Sequence, residues 1–255
     1  ISACLVGSEM CIRDSTYSGS GAPSVEGINF KAMKGQTIGV IGGTGSGKSS
    51  LVNLIPRLYD ATQGEVLVDG VNVKDYDIEA LRNKVGIVMQ KAVLFKGTIR
   101  ENMWMGKKGA TDEQIDEALE ISQSKEFVDS KQGRLDYVIE QGGKNLSGGQ
   151  RQRLTIARAI VRKPDVLILD DSASALDFAT DAALRKAIRG MNNSPTVFIV
   201  SQRAASLMYA DLIIVLDDGQ VAGMGTHDEL LANCEVYKEI YESQFKKADS
   251  EGGVA

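Results

Sequence analysis

Histidine is almost missing from this 255-residue chain: His227 is the only one. A metal site built on imidazoles and a Ser-His-Asp triad are therefore all but excluded. Cysteine is scarce too. Cys4, Cys11 and Cys234 are scattered, which fits a reducing cytosol and no disulfide framework. No apolar run approaches the length of a membrane span; the longest, such as residues 212–216, are strand-sized. Surplus positive charge is also lacking. The formal net charge is -5, so a nucleic-acid partner has no electrostatic support. Apolar residues make up 43% of the chain, ample for one large core or two smaller ones.

What the chain does have is Gly42-Gly43-Thr44-Gly45-Ser46-Gly47-Lys48-Ser49, which matches G-x-x-x-x-G-K-[ST], the phosphate-binding P-loop. The apolar run Ile38-Gly39-Val40-Ile41 predicts a buried strand leading in. Leu51, Leu54, Ile55 and Leu58 recur at i, i+3, i+4 and i+7 and predict a helix leading out. Glycines let backbone N–H groups turn inward around a phosphate, and the helix N-terminus adds its positive dipole end. In this motif Lys48 reaches the β- and γ-phosphates and the Ser49 hydroxyl ligates Mg²⁺. A bare glycine-rich turn would not need the Lys-Ser pair at a helix start.

Residues 1–15 show neither alternation nor a helical stripe, and no basic segment followed by an apolar one, so a signal peptide is not indicated. They resemble translated sequencing-adapter sequence and are expected to be a non-native leader. Recovery of a peptide spanning Cys4 to Arg13 from the natural protein would contradict that. Residues 64–70 and 85–89 read as strands, and Thr111 with Gln114 as a capping box. Ser147 starts a long helix that Pro164 stops. Arg151, Arg153, Arg158 and Arg162 on it are expected to form a solvated or salt-bridged face. Residues 166–169 and 197–200 are continuous apolar runs, as in parallel strands buried on both faces. Asp218-Gly219 signals a hairpin turn, and residues 228–245 read as helical. Trp104 is expected to be a packing residue.

Leu146-Ser147-Gly148-Gly149-Gln150 is the second decisive stretch. Its glycines bare backbone N–H groups at a helix start. It resembles the signature sequence of ATP-binding-cassette (ABC) ATPases, and the resemblance extends over about residues 16 to 245. Asp170, after the apolar 166–169 run, looks like the Walker B carboxylate that holds Mg²⁺ through water. Gln90 matches the Q-loop glutamine near the metal, and Ser174-Ala175-Leu176-Asp177 the D-loop. Tyr17 lies 25 positions before Gly42 (42 − 17), where the family places a ring that stacks on adenine. The resemblance implies ATP and Mg²⁺ as ligands. Residues 42–50, with Ser50 closing the set, and residues 147–150 would line nucleotide; Ser49, Gln90 and Asp170 would surround the metal. It implies an α/β fold: a P-loop NTPase (RecA-like) core with a parallel sheet, an antiparallel β subdomain and an α-helical subdomain. The expected boundaries are 16–89 with 163–255 for the core and 90–162 for the helical part.

The family packs two such subunits head to tail, so each nucleotide lies between one chain's P-loop and the other's signature. Exporter-type segments are resembled by Phe95-Lys96-Gly97-Thr98-Ile99-Arg100-Glu101-Asn102 and Gly225-Thr226-His227-Asp228-Glu229-Leu230. In that class a transmembrane domain precedes the cassette on the same polypeptide, at the cytoplasmic face of the membrane. Two positions depart from the pattern. Asp171 stands where the family has the glutamate that polarises attacking water, and Gln202 where it has a histidine. Gln141 also stands near the place of a customary glutamate. An Asp carboxylate falls short by roughly an ångström, an offset that can cost about a hundredfold in rate. Gln202 donates a hydrogen bond but brings no positive charge. The expectation is a chain that binds ATP, hydrolyses it weakly at its own site, and lends its signature to a different subunit in a heterodimer. A homodimeric slow ATPase and a non-hydrolysing ATP clamp are the alternatives. A chromosome-maintenance ATPase is disfavoured, because only 57 residues (147 − 90) separate Gln90 from Ser147, without sustained heptads.

Overall fold

The computed structural model of the chain describes residues 15–16, 23–172 and 175–251. In chain order the strands are β1 (Ser15–Thr16), β2 (Pro23–Val25), β3 (Thr37–Gly42), β4 (Leu67–Val68), β5 (Val71–Asn72), β6 (Val85–Val88), β7 (Gly97–Thr98), β8 (Val138–Ile139), β9 (Val166–Asp170), β10 (Thr196–Val200), β11 (Leu212–Asp217) and β12 (Gln220–Gly225). The helices are α1 (Lys48–Asn53), α2 (Ile78–Lys84), α3 (Ile99–Trp104), α4 (Asp112–Ile121), α5 (Lys125–Asp129), α6 (Gly148–Ile160), α7 (Phe178–Arg189), α8 (His227–Asn233) and α9 (Glu235–Glu251). No helix among the described residues is long and apolar enough to cross a membrane. Two compact units emerge. One combines the chain up to Arg82 with everything from Thr196 onward; the other is Asn83–Pro195.

The first unit is organised on β3. All six of its residues are buried, so it reads as an unbroken apolar run because both faces are covered. β10 and β11 flank it in parallel register, Val200 opposite Val40 and Leu216 opposite Gly42. β12 closes on β11 as an antiparallel hairpin. Its turn is Asp218-Gly219, with φ of 46° and 80°, the left-handed pair that the Asp-Gly signal calls for. Small antiparallel pairs, β1–β2 and β4–β5, complete the β content. Ile38, Val40, Ile41, Leu51, Val52 and Phe198 are core residues at 1% exposure or less. Phe30 packs tilted against Phe198 at a 6.2 Å ring separation.

The second unit pairs β6 with β9 in parallel, Val85 opposite Val166 through Val88 opposite Leu169. Helix α6 packs on α3, α4 and β6. Thr98 with Glu101, Thr111 with Gln114, and Ser147 with Gln150 form reciprocal capping boxes that start α3, α4 and α6, the last two where the sequence predicts them.

Several expectations change in detail. The stripe from Leu51 to Leu58 outruns its helix: α1 ends at Asn53, and Arg57 is left-handed at φ 51°. Pro56 is the reason, since it lacks an N–H, clashes with the carbonyl four residues back and biases Ile55 away from helix. Leu54 and Ile55 stay buried in the turn that follows, while Leu58 is 39% exposed. The helical stretch over 228–245 is two helices, broken at Cys234, which is extended at φ -120°, ψ 106°. Gly223 makes that join possible. A Cβ there would come within 2.9 Å of the Cys234 sulfur. Helix α6 ends at Ile160, and left-handed Lys163 turns the chain just ahead of Pro164.

The three arginines of α6, and Arg162 just past its end, are not a solvated face. Arg151 donates to the Leu146 carbonyl at 2.6 Å, Arg153 to Gln123 at 2.8 Å, Arg158 to Val93 at 3.0 Å and Arg162 to Gly106 at 3.0 Å. Arg153 lies over the Phe127 ring and Arg158 over Phe95. Burial pushes the Arg158 and Arg162 guanidinium groups below their usual range. Their planar forks gather loop carbonyls onto the helix, a use of Arg that charge counting does not distinguish from a polar surface. Trp104 anchors through its indole N–H, 3.0 Å from the Ala110 carbonyl, and the residue is 41% exposed.

Candidate functional site

In the first unit the chain leaves β3 at Gly42, where a side chain could not fit: a Cβ would sit 2.1 Å from the Leu216 carbonyl oxygen. The following loop bends through left-handed Gly45 and Gly47, at φ 84° and 91°, and Gly47 caps α1. Lys48 arches back across the loop. Its ammonium donates to the carbonyls of Gly42 at 2.9 Å and Gly43 at 2.6 Å, with Ser46 Oγ at 3.4 Å. Only 9% of Lys48 is exposed. Gly43, Thr44, Gly45 and Ser49 are open to solvent, and Ser50 is half-buried. A cavity of about 310 Å³ opens here, walled by Gly45, Gly47, Lys48, Ser49 and Ser50 and, on the other side, by the Asp218-Gly219 turn.

Gln202 stands in the same unit just past β10, with an exposed side chain. Its loop is clamped from α9. The Gln244 amide donates to the Gln202 carbonyl at 2.7 Å and accepts from the Ala204 N–H at 2.9 Å. Ser201 Oγ accepts from the Arg203 N–H at 2.9 Å. His227 is held by α9 elsewhere in this unit: its Nδ1 is 2.8 Å from the Tyr237 hydroxyl, and its ring contacts Tyr241. Tyr17 lies outside the described residues.

In the second unit β9 delivers two carboxylates. Asp170 ends the strand and is 7% exposed; Asp171 follows in the left-handed region at φ 45°. Gln90, just past β6, donates from Nε2 to Asp171 Oδ2 at 3.2 Å, so parallel pairing of β6 with β9 brings these two site residues together. Of the D-loop, Ser174 lies outside the described residues. Asp177 caps α7, accepting from the Thr180 N–H at 2.9 Å and its hydroxyl at 2.7 Å, and those bonds hold its carboxyl below the usual range.

The 147–150 segment opens α6. Ser147 Oγ accepts from the Gln150 N–H at 3.2 Å, and Gln150 Oε1 from the Ser147 N–H at 3.1 Å. Leu146 is buried beneath, while Ser147 and Gly148 face solvent. Gly149 leaves room for the Ala175 carbonyl, which a Cβ would approach to 3.3 Å. Asn145 fixes the preceding loop, accepting from the Glu140 N–H at 3.0 Å and donating to the Val138 carbonyl at 2.9 Å.

In the first unit, Lys48 and the backbone of Gly45, Gly47 and Ser49 on the cavity suit the phosphates of a nucleotide. Among the described residues no three His, Cys, Asp or Glu side chains gather into a metal cage. Mg²⁺ needs none, because it keeps several waters and binds through one or two protein oxygens plus substrate phosphates.

Residues 25–174, more than half of the chain, match the ABC transporter family model. An ABC transporter ATP-binding protein of Mycobacterium tuberculosis is 43% identical over 94% of this chain and 41% of its own length. YfiB, an ABC transporter ATP-binding protein of Bacillus subtilis, is 44% identical over 89% of this chain and 39% of its own. A Staphylococcus aureus protein named as a candidate multidrug export ATP-binding/permease protein is 39% identical over the same shares. This chain thus spans about two fifths of the length of these relatives. Among solved structures, a bacterial Atm1-family ABC exporter with ATP bound superposes with a TM-score of 0.88 at 30% identity, over 95% of this chain and 43% of that one. The chain belongs to the ABC transporter family and is an ATP-binding domain homologous to those of ABC exporters.

Proposed function

We propose that this domain is the ATP-binding cassette of an exporter at the cytoplasmic face of a membrane, and that its own site holds Mg-ATP but hydrolyses it weakly. Residues 42–50 would carry the phosphates. Lys48 and the backbone of Gly45, Gly47, Ser49 and Ser50 line the cavity and would form its anion side. Ser49, Asp170 and Gln90 would surround the metal, which supplies charge neutralisation at the β- and γ-phosphates. Tyr17 would stack on the base, and Asp171 and Gln202 would meet the γ-phosphate and attacking water. Residues 147–150 would complete the site of a second subunit packed head to tail. The membrane domain would precede the cassette on the same polypeptide, in line with relatives more than twice as long.

One observation carries the weak-hydrolysis reading. Asp171 and Gln202 replace the glutamate and histidine of the family pattern, while residues 146–150 keep it intact. The Gln90 bond to Asp171 agrees with it, because a carboxylate already accepting from an amide is drawn away from serving as a base. The heterodimer reading is tested by single-turnover hydrolysis on the assembled pair, with the P-loop lysine of each subunit changed to alanine in turn. Lys48→Ala should leave most of the turnover, and loss of the other subunit's lysine should abolish it. Equal losses would favour two equivalent slow sites, and absence of turnover throughout would favour an ATP clamp.

A further inference from the structure

One wall of the P-loop cavity has the wrong charge for phosphate. Strand β11 runs alongside β3 with Leu216 opposite Gly42, so the residues after Leu216 emerge beside the mouth of the P-loop. They are Asp217 and the Asp218-Gly219 turn, and that turn walls the same cavity as Lys48, Ser49 and Ser50. The turn is tied down, with the Glu26 N–H donating to the Gly219 carbonyl at 2.8 Å. Glu26 directly follows β2, whose partner β1 ends at Thr16, one residue before Tyr17.

An ionised carboxylate accepts hydrogen bonds and donates none. Asp218 is exposed on the cavity rim; beside a bound polyphosphate its carboxylate would repel the phosphate oxygens, and the part of the ligand it can hold is one that donates. Along a nucleoside triphosphate the group after the phosphates is the ribose, whose hydroxyls are such donors. Resting on the ATP-site reading above, we infer that Asp218 is a nucleoside-reading residue. Its carboxylate accepts from the ribose hydroxyls of a nucleotide whose phosphates lie on residues 43–49. The Asp218-Gly219 turn then favours ribonucleotides over deoxyribonucleotides and over bare polyphosphate. A hydrogen bond to a charged group in a partly exposed site corresponds to about tenfold in affinity.

The test measures equilibrium binding, with magnesium, of ATP, 2′-deoxy-ATP, 3′-deoxy-ATP and tripolyphosphate to the wild-type domain and to Asp218→Gly. Glycine keeps the left-handed turn that Asp218 occupies at φ 46°. Asp218→Asn, which removes the charge and keeps one acceptor, is the second variant. The wild type should bind ATP about tenfold tighter than at least one deoxy analogue. Asp218→Gly should bind ATP and both analogues alike, with tripolyphosphate unchanged or tighter, and Asp218→Asn should fall between. A wild type that binds ATP without distinguishing it from either analogue overturns the inference. So does an Asp218→Gly variant that loses the same factor for ATP and tripolyphosphate. A wild type that binds neither ATP nor tripolyphosphate removes the nucleotide site itself, and this inference with it.

Discussion

Gln244→Ala should weaken ATP binding more than ADP binding, although Gln244 is remote in sequence from every motif residue. The Gln244 amide makes two bonds to the loop after β10, to the Gln202 carbonyl at 2.7 Å and from the Ala204 N–H at 2.9 Å. Ala204 is 0% exposed, so losing the acceptor leaves a buried donor unpaired, a penalty of about 1–3 kcal/mol. The Gln202 bond is exposed and partly replaced by water, adding about 0.5 kcal/mol. At roughly 2–4 °C per kcal/mol for a domain of this size, the melting temperature should fall by about 3–14 °C. The functional consequence is separate. On the proposed reading Gln202 meets the γ-phosphate; a loosened loop would no longer hold it there, and one such bond amounts to about 1 kcal/mol, or roughly fivefold in ATP affinity. ADP has no γ-phosphate, so its affinity should hold. Gln244→Glu still accepts from Ala204 but cannot donate to Gln202, and should be intermediate. Calorimetric titration with both nucleotides decides the matter. Affinities for ATP and ADP that fall by the same factor, or a lower melting temperature with neither affinity changed, would refute the reasoning.

Two further outcomes follow from packing and burial. Arg158→Ala removes the 3.0 Å bond to the Val93 carbonyl and the cover over Phe95, and should destabilise the domain by about 2 kcal/mol in urea denaturation; a solvated arginine would give about 0.5 or less. Burial raises the Tyr237 hydroxyl to about 12. Its contribution is complete below the unfolded value of about 10 and is lost as pH rises from there through 12, because the unfolded state ionises first. Denaturation at pH 9 and pH 11 should therefore show an alkaline loss, on the order of 1–2 kcal/mol, that Tyr237→Phe lacks.

Periodicity and motif spacing were informative wherever local chemistry decides structure. The all-apolar β3 and β9, the Asp218-Gly219 turn and the cap at Ser147 needed no tertiary information. Legibility failed where distant backbone sets the role of a side chain. Nothing local says that the α6 arginines hold carbonyls from loops as far away as Val93, 65 positions earlier. Gln244 reads as one more polar residue on a helix, and only the return of α9 to the 202–204 loop gives it a task. Asp218 was legible as a turn residue, but its place on the cavity depends on the pairing of β11 with β3. The carboxamide of Gln90 and the carboxylate of Asp171 lie 81 positions apart, and β6–β9 pairing brings them together. The Pro56 break was readable from residue chemistry alone, and an apolar stripe carried across it overstated α1.

The sharpest measurement is steady-state, magnesium-dependent ATP turnover of the domain beside the Asp171→Glu, Gln202→His double variant, at saturating ATP and with ATP affinity measured in parallel. Restoring about one ångström of carboxylate reach and a chargeable donor should raise turnover by about a hundredfold while affinity stays within a few-fold. Brisk turnover by the wild type, with no gain in the double variant, would contradict it.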